Sequence, residues 1–305
     1  MPAISQDPLL IRRLIFLLLA VIVVGTLLLP LGTPPMVVNQ ESQDFYDAVA
    51  ALKPGDPILI SFDFDPASKP ELEPAARALL RQAFRRRLRV VTLGLWQTGI
   101  GLAAEAIEAE AEIARSRFPQ EGENAYPQYG KDYVFLGWQP GQFALIVRLT
   151  EGIQGAFPRE FRGAETERLP IWNGSNGEKV RTLGDFPLVV TISAGNPGID
   201  EWIRYGRGKE DFPIATAVTA VTSPGRMPFY KSGQIIGLLA GMRGAAEYEY
   251  LLNRSEDPEK FGVTPPPLVA ALQGMNALSA SHFLIIGLVV VSNIMYFTSQ
   301  RRGRR

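Results

Sequence analysis

The 305-residue chain has no cysteine and a single histidine, His282. Without Cys there is no disulfide framework, thiol nucleophile, iron–sulfur cluster or Cys-based zinc site, so an oxidising compartment would impose no redox chemistry. The lone His precedes an apolar run, which leaves Ser-His-Asp triads, His-rich metal centres and a soluble His general base without their central residue. Chemistry here must use carboxylates, hydroxyls, Lys, Arg or backbone groups. An excess of either charge is also lacking: 31 Lys and Arg face 31 Asp and Glu, and charged residues make up 20% of the chain. That balance argues against a disordered polyelectrolyte and against generic nucleic-acid binding.

The zero net charge is a cancellation by position. Segments 1–34 and 278–305 hold Arg12, Arg13, Arg301, Arg302, Arg304 and Arg305 against Asp7 alone, a net +5, and the interior 35–277 holds 25 basic and 30 acidic residues, a net −5. What is abundant at the two ends is apolar sequence. Leu14–Leu31 runs for 18 residues without a charge, close to the roughly 20 that a helix needs to cross a bilayer core. A cleaved signal peptide is the competing reading, but its apolar region would be about 7–15 residues before a small-x-small site. This run ends instead in Leu-Pro-Leu-Gly-Thr-Pro-Pro, so it is read as a retained anchor. The second run, 278–298, closes on the aromatic pair Tyr296-Phe297, a pair suited to a membrane interface.

The arginines flank both runs on their terminal sides, so the positive-inside rule predicts both termini in the cytoplasm and the central domain outside a plasma or inner cell membrane. The expected organisation is a cytoplasmic tail 1–13, a span 14–34, an α/β domain 35–255, a linker 256–277, a span 278–298 and a basic tail 299–305. His282, at the entrance to the second span, reads as an interfacial residue.

Within the domain, apolar runs suited to buried strands alternate with helical patterns. Strands are predicted at 57–62, 89–96, 133–138, 188–193 and 214–221. Helices are predicted at 43–52, 71–87, 102–118, 142–152, 199–205 and 230–252, and 155–185 reads as loop. Alternation of this kind implies a doubly wound, mostly parallel sheet of about five strands, Rossmann- or flavodoxin-like.

In such sheets ligands bind at the carboxyl ends of the strands, near the switch point in strand order. Three predicted strands end there in polar or glycine-rich sequence: Asp63-Phe64-Asp65 after the first, Ser193 to Gly198 with Gly195 and Asn196 after the fourth, and Thr219 to Gly225 with Ser223 after the fifth. These residues are the candidate ligand-binding set, with Arg226, Tyr230 and Lys231 as supplements should the loops meet. The Asp63-x-Asp65 pair resembles the opening motif of the haloacid-dehalogenase phosphatases, and Ser193 resembles their second motif. The resemblance implies Asp63 as nucleophile, Asp65 as acid/base and Mg²⁺ as cofactor. Pro66 and Ala67 depart from the family's continuation, and Thr219–Gly225 lacks the carboxylates that would hold Mg²⁺. No other cofactor or metal is implied. Gly99-x-Gly101-x-x-Ala104 approximates a dinucleotide fingerprint, but it follows the second strand at a distance and reads as helix–sheet packing.

Other patterns suggest assembly. In predicted helix 230–252, Gly233, Gly237 and Gly241 recur every fourth residue, which predicts close approach of the sheet or of another helix. Arg77, Arg81 and Arg85 repeat at i, i+4, and Glu105, Glu108 and Glu112 line one face of the next helix. These faces would be solvated, or would meet a neighbouring copy or a lipid headgroup surface. Asn173 and Asn253 sit in Asn-x-Ser triplets open to glycosylation. The leading expectation is a non-catalytic scaffold or assembly subunit in the membrane, partnered by the lipid bilayer and by further copies or other subunits, with no nucleic acid. The alternatives are a ligand-binding module at the carboxyl edge and an Asp-dependent, Mg²⁺-assisted phosphoryl hydrolase.

Overall fold

The computed structural model describes residues 8–28, 36–117, 125–174, 177–255 and 268–302. Most of the predicted linker, 256–267, lies outside them, as do both extreme tails. The chain divides into two units, residues 1–35 with 272–305 and residues 36–271.

The first unit is built on α1 (Pro8–Leu28) and most of α10 (Ala270–Arg302). Their stretches Leu9–Leu28 and Ala270–Thr298 are long and apolar enough to cross a membrane, about 30 and 43 Å at the helical rise. Large apolar side chains stand outward on both, including Leu17 at 61% and Phe283 at 74% exposure. Thr26 turns its hydroxyl onto the Ile22 carbonyl at 2.9 Å, satisfying its polar group within the helix. Both helices begin before the apolar runs do, because backbone hydrogen bonding continues through Arg12, Arg13 and residues 270–277 regardless of their polarity.

The second unit is a six-stranded, wholly parallel sheet in the order β3-β2-β1-β4-β5-β6. The strands are β1 (Pro57–Asp63), β2 (Arg89–Gly94), β3 (Tyr133–Trp138), β4 (Leu188–Ser193), β5 (Ile214–Val218) and β6 (Leu238–Ala240). The helices are α2 (Gln40–Ala50), α3 (Lys69–Arg85), α4 (Ile100–Arg117), α5 (Phe143–Glu151), α6 (Ile153–Ala156), α7 (Ile199–Glu201), which runs on as a π-helical turn Trp202–Arg207, α8 (Ser223–Lys231) and α9 (Gly241–Arg254). This is the Rossmann-like order, reversing direction between β1 and β4.

Register explains why the central strands read as unbroken apolar runs. Leu59 pairs with Val91 and Val189, and Ile60 with Thr92 and Val190, so both faces of β1 meet buried neighbours. Leu59, Val91, Val134, Val189 and Ile214 share a core with α5, α6 and Trp202. The α3 helix packs on α9 and α4, and α2 against β6 and α9.

The predicted helix 230–252 is corrected. Its residues form the end of α8, a turn, β6 and α9. Gly233 has φ +73° and Gly241 φ +59°, left-handed conformations that stop one helix and precede the next. At Gly237 an added Cβ would overlap the Phe45 backbone in α2. The three glycines therefore do not form one helical stripe, and the helix face proposed as an interface does not exist. β6 extends the sheet beyond the five predicted strands.

Candidate functional site

Asp63 ends β1 at the switch point and is fully buried. Its Oδ1 accepts hydrogen bonds from Ser61 Oγ at 2.7 Å and from the Leu95 amide at 2.8 Å. Trp202 Nε1 stands 3.4 Å from its Oδ2. Burial, reinforced by Glu201, outweighs these donors and raises the Asp63 carboxyl from 3.8 to about 7. Ser193 is the register partner of Asp63 on β4, so the sheet does bring these two predicted residues together. Ser193 is buried, and its Oγ has no hydrogen-bond partner.

Above this pair the switch point is roofed. Trp96 follows β2, and its Nε1 donates to the Pro197 carbonyl in the loop after β4 at 2.7 Å. Because β1 lies between β2 and β4, this indole crosses the carboxyl end of β1. It also packs over Gly195, whose Cβ position is 3.7 Å from the Trp96 ring. Asn196 precedes cis-Pro197, and the Gly198 amide donates to Glu201 Oε2 at 2.7 Å. The two indoles were missed in the sequence, where Trp96 falls at the end of a predicted strand and Trp202 within the predicted helix 199–205.

The remaining predicted residues have local duties. Asp65 Oδ1 accepts from the Ser68 amide and hydroxyl at 3.0 Å, closing the turn into α3. Thr219 Oγ1 meets Thr222 Oγ1 at 3.0 Å, and Ser223 Oγ donates to the Ala220 carbonyl at 3.0 Å. The segments after β4 and β5 do meet, at their helices, where Arg226 Nη2 of α8 donates to Asp200 Oδ2 of α7 at 2.6 Å. Arg226 Nε and Asp200 Oδ1 are buried without partners. Tyr230 donates instead to Asp44, and burial, reinforced by that carboxylate, raises its hydroxyl to about 12.

The Mg²⁺ implied by the phosphatase resemblance does not fit this arrangement. Asp63 Oδ1 is occupied by two protein donors, Asp65 serves Ser68, and no cluster of three His, Asp or Glu residues capable of holding a metal occurs among the described residues. The glycine pair behind the dinucleotide-like pattern serves packing at Gly99, where an added Cβ would overlap the Phe64 carbonyl, while Gly101 faces open space.

The basic and acidic helices answer each other within the chain. Glu110 on α4, fully buried, accepts from Arg77 Nε at 2.9 Å and Arg81 Nε at 2.8 Å. Arg85 Nη2 donates to Ser255 Oγ. Glu105 pairs with Lys69, Glu112 with Arg115, and Glu108 with Arg115 and Arg162. The expectation that these rows face solvent, lipid or another copy is corrected for Arg81, which is buried against Glu110. Glu110 was overlooked because it lies among alanines on the apolar side of the helix. Asn253 is no open glycosylation acceptor, since its amide Nδ2 donates to the Leu268 carbonyl at 2.7 Å.

At the opposite, amino edge of the sheet, two clefts of about 510 and 440 Å³ share Lys179 and Val180. Arg89 lines the second, donating to the Gly55 and Ile171 carbonyls at 2.7 and 2.6 Å. Burial lowers its guanidinium pKa against the opposing pull of Glu178 and Asp56.

Fold and site together define a Rossmann-like α/β domain, with two apolar helices at the chain's ends. No protein-family profile and no curated protein matches the chain. Among solved structures it is similar to a trehalose-6-phosphate synthase analysed with bisubstrate glycomimetics (10% identity, TM-score 0.29, covering 84% of this chain and 51% of that one). Others are the trehalose-6-phosphate synthase OtsA (9%, 0.30, 83% and 49%) and a UDP-forming α,α-trehalose-phosphate synthase from Burkholderia vietnamiensis (11%, 0.29, 90% and 47%). The chain spans about half the length of these enzymes.

Proposed function

We propose that this chain is a non-catalytic, membrane-tethered α/β module that serves as an assembly subunit of a membrane complex. Its domain would lie outside the cytoplasm, with both termini inside, as the terminal arginines favour. The observation that carries the non-catalytic reading is the closed switch point. The crevice in which this fold holds ligands is spanned by the Trp96–Pro197 hydrogen bond, and its one central carboxylate is consumed by Ser61 and Leu95. The assembly role rests on the two terminal apolar helices, which would hold the domain against a bilayer at both ends. Amine-reactive crosslinking in the native membrane tests it: adducts of discrete mass should form, and their absence at every reagent concentration would count against assembly.

A second reading, ligand binding at the carboxyl edge, is favoured by one observation. Ser193 Oγ at the end of β4, Asp200 Oδ1 in α7 and Arg226 Nε in α8 are buried polar atoms without partners, and such atoms ordinarily find one. A thermal-shift screen of the full chain in detergent separates the readings, because a ligand held only by the native state raises its melting temperature. The hydrolase reading is not favoured, since attack by Asp63 would require breaking its two bonds beneath the indole roof.

A further inference from the structure

The amino edge of the sheet carries a cleft that the carboxyl-edge readings do not use. It holds about 440 Å³ at the entries of β1, β2, β4 and β5, within the roughly 300–1,000 Å³ of small-molecule sites. Arg89, the first residue of β2, lines it and is 7% exposed. Its Nε and Nη1 donate to the Gly55 and Ile171 carbonyls, a structural duty. Its Nη2 is left over, buried and without an acceptor. A planar guanidinium presents its N–H groups in a fork that fits a carboxylate, yet no carboxylate of the chain fills this place: Glu178 and Asp56 act on Arg89 through their charge, not through a hydrogen bond to Nη2. The cleft's own carboxylates are of two kinds. Asp56 Oδ2 accepts the Lys53 amide at 2.7 Å, and Asp185 Oδ2 accepts the amides of Arg181 and Thr182 at 2.7 and 3.0 Å. Glu178 and Asp211 stand exposed, Asp211 with Arg207 Nε at 3.8 Å. These four carboxylates against Arg89 and Lys179 leave the lining at −2, which repels a simple anion although Nη2 lacks one. A ligand that carries both charges resolves that conflict.

We propose that this cleft binds a small zwitterion of the free amino acid class, its carboxylate on Arg89 Nη2 and its ammonium facing the carboxylates of Glu178 and Asp211. The turn at Gly174, where a Cβ would stand 3.2 Å from Nη2, covers that nitrogen, so the carboxylate enters with a small displacement of the turn. Held away from water, the charged pair is stronger than it would be at the surface. The site is separate from the switch point and independent of what the domain assembles with.

The test is thermal unfolding of the full chain in detergent with each common amino acid in turn, at about 10 mM. At least one should raise the melting temperature by about 2–4 °C. Titration calorimetry then compares that amino acid with its methyl ester and its N-acetyl derivative, which each lack one charge and should bind about tenfold or more weakly. Arg89→Lys would also break the bonds to Gly55 and Ile171, so the exposed pair Glu178→Gln and Asp211→Asn serves as the variant, with affinity lowered about tenfold. No shift with any amino acid would overturn the proposal, as would an ester or N-acetyl form that binds as well as its parent. Undiminished affinity in the double variant would place the ligand outside this cleft and overturn it too.

Discussion

Replacing Asp63 with asparagine should make the domain's stability less dependent on pH. The Asp63 carboxyl rises from 3.8 to about 7 on folding because burial removes it from water, and Glu201 adds repulsion. A raised carboxyl holds its proton more tightly in the folded state, so its contribution is largest in acid and is lost as pH climbs toward 7. With those two pKa values, moving from pH 8 to pH 5 stabilises the wild type by about 3 kcal/mol through this one group. The carboxamide of the Asp63→Asn variant keeps an acceptor for the Leu95 amide and carries no titratable proton. The assay is urea unfolding of the full chain in detergent at both pH values, followed by the fluorescence of its four tryptophans, Trp96 and Trp202 among them. The quantity read is the difference between wild type and Asp63→Asn, which cancels other titrating groups such as Asp132, also raised by burial. If the two proteins change equally between pH 8 and pH 5, Asp63 ionises normally and the buried-carboxyl argument is wrong.

Glu110→Ala would leave Arg81 buried without its carboxylate and should cost about 3–5 kcal/mol in denaturant unfolding, whereas Arg81→Met with Glu110→Leu should recover most of that. Gly237→Ala forces Cβ into the Phe45 backbone and should destabilise by about 1–3 kcal/mol, read as a lowered unfolding midpoint. The Cys-free chain suits topology mapping. An impermeant thiol reagent applied outside cells should label Val221→Cys, which replaces a side chain 90% exposed, and should spare Ser5→Cys until the membrane is opened. The reverse pattern would invert the proposed orientation.

The central strands were legible because a strand buried on both faces must be mostly apolar, as 57–62 and 188–193 are, with Ser61, Thr191 and Ser193 as their polar residues. β6 was hidden because a three-residue strand has no period, and because Gly233, Gly237 and Gly241 fall at helical spacing by coincidence while serving a helix stop, a close approach and a helix start. The charged helices were recognised with the wrong partner. Arg77 and Arg81 needed an anion, and the one that serves, Glu110, shows only in three dimensions that it faces α3. The Asp63 and Ser193 pairing followed from strand position, but the roof over it did not. An indole crossing from the loop after β2 to the loop after β4 is a long-range contact that no local pattern signals.

Assembly of the chain in a membrane is put to the test by native mass spectrometry of the full chain extracted from its own membrane into lipid nanodiscs. A complex of fixed stoichiometry that contains more than one polypeptide is expected. A single copy of this chain, alone at every concentration, would rule out assembly.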